Sequence, residues 1–235
     1  MRTIALVTQK GGSGKSTIAS SLAVAAFEAG ERVFLIDMDP QASLMRWFKL
    51  RDDKSIAVEA VTPARLPAAI AALEKAGITL VIIDTPGSDT PVAHAAMKVA
   101  DLCVIPSRPN VFDLWASENT RKMVKEMQKE FVFLLNQCPP AQQSARVEEG
   151  AKALEAMGGI VTPFIGARVD YQEAARYGWG VTELNPWGVA SEEMQKLWVS
   201  LKRRIAKAAG VKTAGVKTAD AKVGARVEAK SSKAA

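Results

Sequence analysis

Cysteine is scarce in this chain. Two of its 235 residues, Cys103 and Cys138, are cysteines. Both stand in apolar surroundings without metal-ligand spacing, so a cysteine-held metal is not expected and buried, reduced thiols of a cytoplasmic protein are. No uninterrupted apolar stretch is long enough to span a bilayer. A signal peptide is not expected either, because the apolar run TIALV (3–7) begins almost at Met1 and leads straight into a glycine-rich loop. Bulk composition carries no bias: 48% hydrophobic and 24% charged residues are ordinary for a globular protein, and the length suits one domain with a substantial core.

The charge is unevenly placed. The formal net charge is +6. Residues 210–235 hold six basic side chains (Lys212, Lys217, Lys222, Arg226, Lys230, Lys233) against two acidic ones (Asp220, Glu228), which leaves a nearly balanced body with a basic appendage. This tail repeats GVKTA, lacks leucine and aromatic residues, and is expected to be disordered when free. Its lysines and valines recur every five residues, a spacing that keeps neither type on one helical face. Insertion into a membrane is therefore not expected of it. A polyanion such as nucleic acid suits its charge, as does simple solvation.

Along residues 1–209, short apolar runs alternate with helical patterns. TIALVT (3–8), RVFLID (32–37), TLVIID (79–84), DLCVIP (101–106) and FVFLLN (131–136) read as buried strands, and GIVTPFIG (159–166) as a sixth. Near-continuous Val, Ile, Leu and Phe marks strands covered on both faces. Helices are expected over Lys15–Ala29 with Gly30 as a stop, over Ala64–Lys75, over Leu114–Lys129, and over Ser191–Ala209 with Ser191 as N-cap. The last would carry Met194, Leu197, Trp198, Leu201 and Ile205 on one stripe. This alternation predicts a doubly wound α/β domain with a mostly parallel sheet flanked by helices.

The segment QKGGSGKST (9–17) joins the first strand to the first helix. In that context a glycine-rich loop presents consecutive N–H groups and a helix N-terminus to an anion. Lys15 would reach the β- and γ-phosphates of a nucleotide, and the Ser16 hydroxyl would ligate Mg²⁺. Asp84, ending an apolar strand, is placed to hold Mg²⁺ through water, and Gly87 to offer its N–H to the γ-phosphate. Asp37 and Asp39, two apart in extended chain, project the same way. One feature departs from the usual phosphate-loop pattern: Gln9 stands where a glycine is required, and a second lysine, Lys10, follows it.

That pattern, K-G-G-x-G-K-[ST], is the deviant Walker A motif, and with it the chain resembles the ParA/MinD family of P-loop ATPases from Met1 to about Ala209. LIDMDPQAS (35–43) is similar to the family's switch I, LVIIDTPG (80–87) to its Walker B strand and switch II, and LLNQCP (134–139) to the strand end where an asparagine lies near the adenine. The resemblance implies ATP and Mg²⁺ as cofactors, and nucleotide contacts from Lys10, Gly11, Gly12, Ser13, Gly14, Lys15, Ser16, Thr17, Gly87 and Asn136. It further implies metal-shell roles for Ser16, Asp37, Asp39 and Asp84, with Asp39 positioning the attacking water. Lys10 would cross a dimer interface to the phosphates held by the other subunit, so that two ATP molecules are sandwiched and dimerisation depends on ATP.

Within the family, iron–sulfur members do not fit the number and placement of the cysteines; a MinD-like membrane-associated ATPase regulating cell division or positioning is the alternative, and the character of the tail argues against it. Metabolic P-loop ligases lack the signature lysine in this form. A short ParA-type partition or cargo-positioning ATPase fits best, with no room for an N-terminal helix-turn-helix. It would hydrolyse ATP slowly until stimulated by a ParB-like adaptor, and would associate with the nucleoid through non-specific DNA binding. Arg168, Lys202, Arg203, Arg204 and Lys207 are the expected DNA contacts, extended by the tail. Trp47, in PQASLMRWFKLRDD (40–53), is open between core and partner surface.

Overall fold

The computed structural model describes residues 1–139 and 144–208; the basic tail and its expected disorder lie outside them. Seven strands form one sheet in the order β3-β2-β4-β1-β5-β6-β7. They are β1 (Arg2–Leu6), β2 (Val33–Asp37), β3 (Ala57–Ala60), β4 (Leu80–Asp84), β5 (Leu102–Ser107), β6 (Phe131–Leu135) and β7 (Ile160–Val161). Every pairing is parallel. Helices cover both faces: α1 (Lys15–Glu28), α2 (Ser43–Leu50), α3 (Leu66–Lys75), α4 (Pro91–Val99), α5 (Val111–Glu126), α6 (Ala145–Gly158), α7 (Val169–Arg176), α8 (Val181–Leu184) and α9 (Val189–Ala208).

The near-continuous apolar strands are explained by a core on each side of the sheet. Ile4, Leu6, Leu80, Ile82, Leu102 and Val104 pack under α1 and α9. Their neighbours Ala5, Val81, Ile83, Cys103 and Ile105 face α3 to α6. Successive residues point to opposite faces, so both sets must be apolar. Helix α1 is buried at ten of its fourteen residues, because it lies between the sheet and α9. The stripe Met194, Leu197, Trp198, Leu201 and Ile205 is fully covered, each side chain contributing about 1.5–3 kcal/mol.

Several elements differ from expectation. β3 and α2 occupy the stretch after the second strand, where short, mixed segments carry little periodic signal. Trp47 belongs to the core: it is 4% exposed and donates Nε1–H to the Trp179 carbonyl at 3.1 Å. The sixth run shortens to β7 and a single bridge between Cys138 and Gly166. Helix α5 starts three residues early because Asn110 caps it, accepting from Asp113 N–H at 3.0 Å. Helix α9 begins at Val189, so Ser191 is not its N-cap; the buried Ser191 hydroxyl instead reaches the carbonyls of Val181 (2.8 Å) and Asn185 (2.5 Å).

The strand order fixes the location of the site. The chain passes from β1 to β2 on one side, returns to β4 between them, and crosses β1 to reach β5 on the other. Where such an order reverses, the loops at the carboxyl ends of the strands part and leave a crevice.

Candidate nucleotide-binding site

The loop Gln9–Gly14 lies in that crevice. Gly12 (φ 75°) and Gly14 (φ 90°) are left-handed, and a Cβ at Gly14 would stand 2.4 Å from Nδ2 of Asn136. Both conformation and contact therefore demand glycine at position 14. Asn136 donates to the Ser13 carbonyl at 2.7 Å, and Gln137 Nε2 to the Gly12 carbonyl at 3.0 Å. From the other side, Gln9 N–H donates to Thr120 Oγ1 at 3.0 Å. The loop is pinned by its outer atoms. Among the described residues, none of the N–H groups from Gly11 to Gly14 donates to another group, and the first turn of α1 adds its own unpaired N–H groups. The result is a cradle for an anion.

A cavity of about 660 Å³ opens over this cradle, walled by Gly11, Gly12 and Gly14–Thr17, by Asp39–Gln41 and Ser43, and by Pro86, Gly87 and Ser88. Gly87 has no room for a side chain; a Cβ there would meet Gly11 Cα at 2.9 Å. A second cavity of about 360 Å³ shares Gly14 and Thr17 with the first and is bounded by Asn136, Ile165, Arg168 and Tyr171. Two adjoining cavities, one of them over bare N–H groups, match the two ends of a nucleotide.

Asp84, at the end of β4, stands behind Ser16 and lines neither cavity. It is fully buried, and its Oδ2 accepts from Ser16 Oγ at 2.5 Å. Its Oδ1 is buried without a partner among the described residues. Burial pushes the Asp84 carboxyl up to about 7, against the Ser16 hydrogen bond and the Lys15 charge. Lys15 is itself buried, and that burial lowers its pKa against the pull of Asp84 and Asp39. Asp84 and Asp39 both act on the Lys15 ammonium, a balance of acidic over basic groups that suits a divalent cation.

Asp37 and Asp84 are direct neighbours across β2 and β4, yet their side chains do different things. Asp37, expected in the metal shell, lines neither cavity. Its oxygens accept from the N–H groups of Asp39 (3.1 Å) and Met45 (3.0 Å), so it shapes the turn that carries Asp39 and the start of α2. Asp39 does line the larger cavity and accepts from Gln41 N–H at 2.9 Å. Lys10 is half-buried, lines neither cavity, and forms no ion pair among the described residues.

The expected DNA contacts separate into two groups. Arg168 is held by Glu193, with contacts of 2.6 and 3.1 Å, and Lys202 by Glu31 at 2.6 Å. Arg204 donates to the Phe131 carbonyl at 3.4 Å and lies 4.0 Å from Glu130. Arg203 and Lys207 are exposed and make no ion pair among the described residues. The acids that neutralise the first group come from other parts of the fold. Gln137 and Thr120, which fix the loop, carried no sequence signal beyond following a strand and lying on a helix.

Both cysteines are free and buried, and burial pushes each thiol up to about 12. Among the described residues no helix is long and apolar enough to cross a membrane.

Comparison with known proteins gives a consistent picture. The model of the CobQ/CobB/MinD/ParA nucleotide binding domain matches residues 4–181. "Maintenance of carboxysome distribution protein A" of Halothiobacillus neapolitanus is 29% identical over 208 residues, covering 83% of this chain and 94% of that one. The fold is shared with the MinD cell division protein of Aquifex aeolicus, at a TM-score of 0.73 and 16% identity over 86% of this chain and 98% of that one. It is shared too with the septum site-determining protein MinD of Pyrococcus horikoshii OT3 in complex with Mg-ADP. There the TM-score is 0.68 and the identity 18%, over 88% of this chain and 98% of that one.

Proposed function

The chain belongs to the CobQ/CobB/MinD/ParA nucleotide-binding family, and on that premise we propose that it is an ATP-dependent dimerising switch which positions a cargo over DNA. ATP with Mg²⁺ is the family's cofactor pair, and the donor set here suits it. Among the described residues, the N–H groups of Gly11–Gly14 are unpaired and Asp84 keeps a buried oxygen without a partner, while Ser16 Oγ stands in the first turn of α1. When bound, Mg²⁺ neutralises charge on the phosphates. Lys15 meets the β- and γ-phosphates, Thr17 and Asn136 border the nucleoside, Asp39 orients the attacking water, and the N–H of Gly87 senses the γ-phosphate.

One observation carries the switch: Lys10 stands outside the cavity that Lys15 serves. A P-loop needs one lysine for its own phosphates. The other, half-buried on the loop's outer side, is available to the triphosphate of a second copy, where its charge counts most while the γ-phosphate is intact. Hydrolysis then loosens the dimer. Two chains joined in this way set two basic surfaces side by side, so sequence-independent DNA binding rises with ATP and falls with ADP. Of the cargoes such a switch can carry, a plasmid, a chromosome region or a protein cluster, the likeness to a carboxysome distribution protein over 83% of this chain supports the last. Slow hydrolysis, stimulation by a ParB-like adaptor and association with the nucleoid belong to the same reading.

The test is mass measurement in solution with ATP, with ADP and without nucleotide, beside duplex DNA binding in the same three states. Lys10→Ala should bind ATP as a monomer and fail to dimerise, whereas Lys15→Gln should lose the nucleotide itself. A Lys10→Ala protein that dimerises normally with ATP, or DNA binding equal in all three states, would overturn the proposal.

A further inference from the structure

Arg108 follows β5 immediately and is locked in place. Its Nε and Nη2 donate to the two oxygens of Asp113 at 2.9 and 3.1 Å. Asp113 is 2% exposed, and its N–H is held by the Asn110 cap. A fork gripped by a buried carboxylate cannot swing. The remaining nitrogen, Nη1, has no partner among the described residues and lies 3.9 Å from the position a Cβ would take on Gly12. Arg108 thus abuts the phosphate loop. It lines neither cavity of its own nucleotide site, and in this it resembles Lys10.

Beside it lies an apolar patch. Val111, Phe112 and Trp115, on the first turns of α5, are 56%, 69% and 61% exposed. Phe112 and Trp115 meet edge to face at 5.6 Å. An immobilised cation with one free donor, next to exposed aromatic rings on the rim of a nucleotide site, fits a partner that is apolar and brings an anion to the same place. A second copy of this chain loaded with ATP has both properties, because a twofold contact sets each patch and each loop against its equivalents. We infer that Arg108, positioned by Asp113, contacts the nucleotide bound by the opposing copy, and that Val111, Phe112 and Trp115 are covered in the same ATP-dependent contact. This rests on the dimer reading above and adds to it a second cation acting across the interface.

Sedimentation velocity of the full chain with ATP tests it, using wild type, Arg108→Ala, Arg108→Lys and Trp115→Ala. ATP affinity is measured in parallel with a fluorescent analogue at protein concentrations below dimerisation. Arg108→Ala and Trp115→Ala should each weaken dimerisation by about tenfold or more, as for one charge-assisted contact or one buried aromatic. Monomer affinity for ATP should stay within about twofold. Arg108→Lys keeps the charge without the fork and should fall between. If wild type dimerises and the Arg108 variants dimerise equally well, this inference is wrong while the dimer reading stands. If wild type stays monomeric with ATP, the dimer reading itself fails and takes the inference with it. Two further outcomes overturn the inference alone: loss of monomer ATP affinity in Arg108→Ala, which would place the guanidinium on its own nucleotide, and unchanged dimerisation with weakened DNA binding, which would make the patch a nucleic-acid contact.

Discussion

Ser16 donates its hydroxyl to Asp84 across 2.5 Å, tying the first turn of α1 to the end of β4. That bond is not enough to keep Asp84 an ordinary carboxylate, and burial raises its pKa from 3.8 to about 7. A folded-state pKa above the unfolded one means that the native protein holds the proton longer. The stabilising contribution is complete below about pH 4 and is lost as pH rises through about 7. In EDTA and without nucleotide, the wild-type protein should therefore lose stability over that window. Asp84→Asn cannot ionise and should gain on wild type by roughly 1–3 kcal/mol between pH 5 and pH 8. Urea unfolding at the two pH values reads the difference. An identical pH slope in both proteins would show that the Asp84 proton is not linked to folding.

Gly14 is held by its backbone conformation and by Asn136 together. Gly14→Ala must take a left-handed φ and press its Cβ into Nδ2 of Asn136. The expected cost is about 1–3 kcal/mol, with loss of nucleotide binding as the loop shifts. In Gly14→Ala/Asn136→Ala the 2.4 Å contact is gone, but a 3.3 Å contact with Gln137 Nε2 and the strain remain, and the Ser13 carbonyl loses its donor. Stability should recover only in part. Complete recovery in denaturant melts would mean that the contact, and not the backbone, selects glycine.

Much of this architecture is legible in the chain itself, for a definite reason. A strand buried on both faces has few alternatives to Val, Ile, Leu and Phe, so β1, β2, β4, β5 and β6 declare themselves. The phosphate loop does too, since bare N–H groups before a helix require glycines in a fixed pattern. What the sequence hides depends on distant partners. β3 is four residues long, and Ser191 looks like a cap until Val181 and Asn185 bring carbonyls to it. Asp37 has a duty the sequence does not show, since its oxygens accept from the N–H groups of Asp39 and Met45. Glu31, Glu130 and Glu193 neutralise basic residues that read as an open surface from local charge alone.

Arg51 is 1% exposed at its side chain and pairs with Glu183 through contacts of 2.6 and 2.8 Å. It also donates to the Gly178 carbonyl at 3.1 Å and lies over the Trp47 ring, 5.3 Å from its centroid. The pair binds the end of α2 to α8. Arg51→Met strands Glu183 and should cost about 2–4 kcal/mol. Arg51→Met/Glu183→Gln removes the uncompensated charge and should restore more than half. If the double variant is no more stable than the single one in urea, packing of the Arg51 stem, and not the ion pair, is what holds the junction.

The ion pairs on the final helix turn a general expectation of DNA contact into a ranking. Lys202, Arg204 and Arg168 already face carboxylates, and to reach a DNA phosphate each would have to give up an existing partner. Arg203 and Lys207 have no such partner among the described residues. Removing a phosphate contact lowers the dependence of binding on salt by about one unit of log–log slope. Arg203→Ala/Lys207→Ala in the full chain should therefore weaken ATP-state binding to random duplex DNA and reduce that slope by about four, two contacts from each copy of the dimer. Arg168→Ala should leave the slope unchanged and lower the melting temperature instead, because it leaves Glu193 on α9 without its ion pair. Anisotropy titrations at several salt concentrations separate the two effects. An unaltered slope in the Arg203/Lys207 variant would move the DNA surface off this helix.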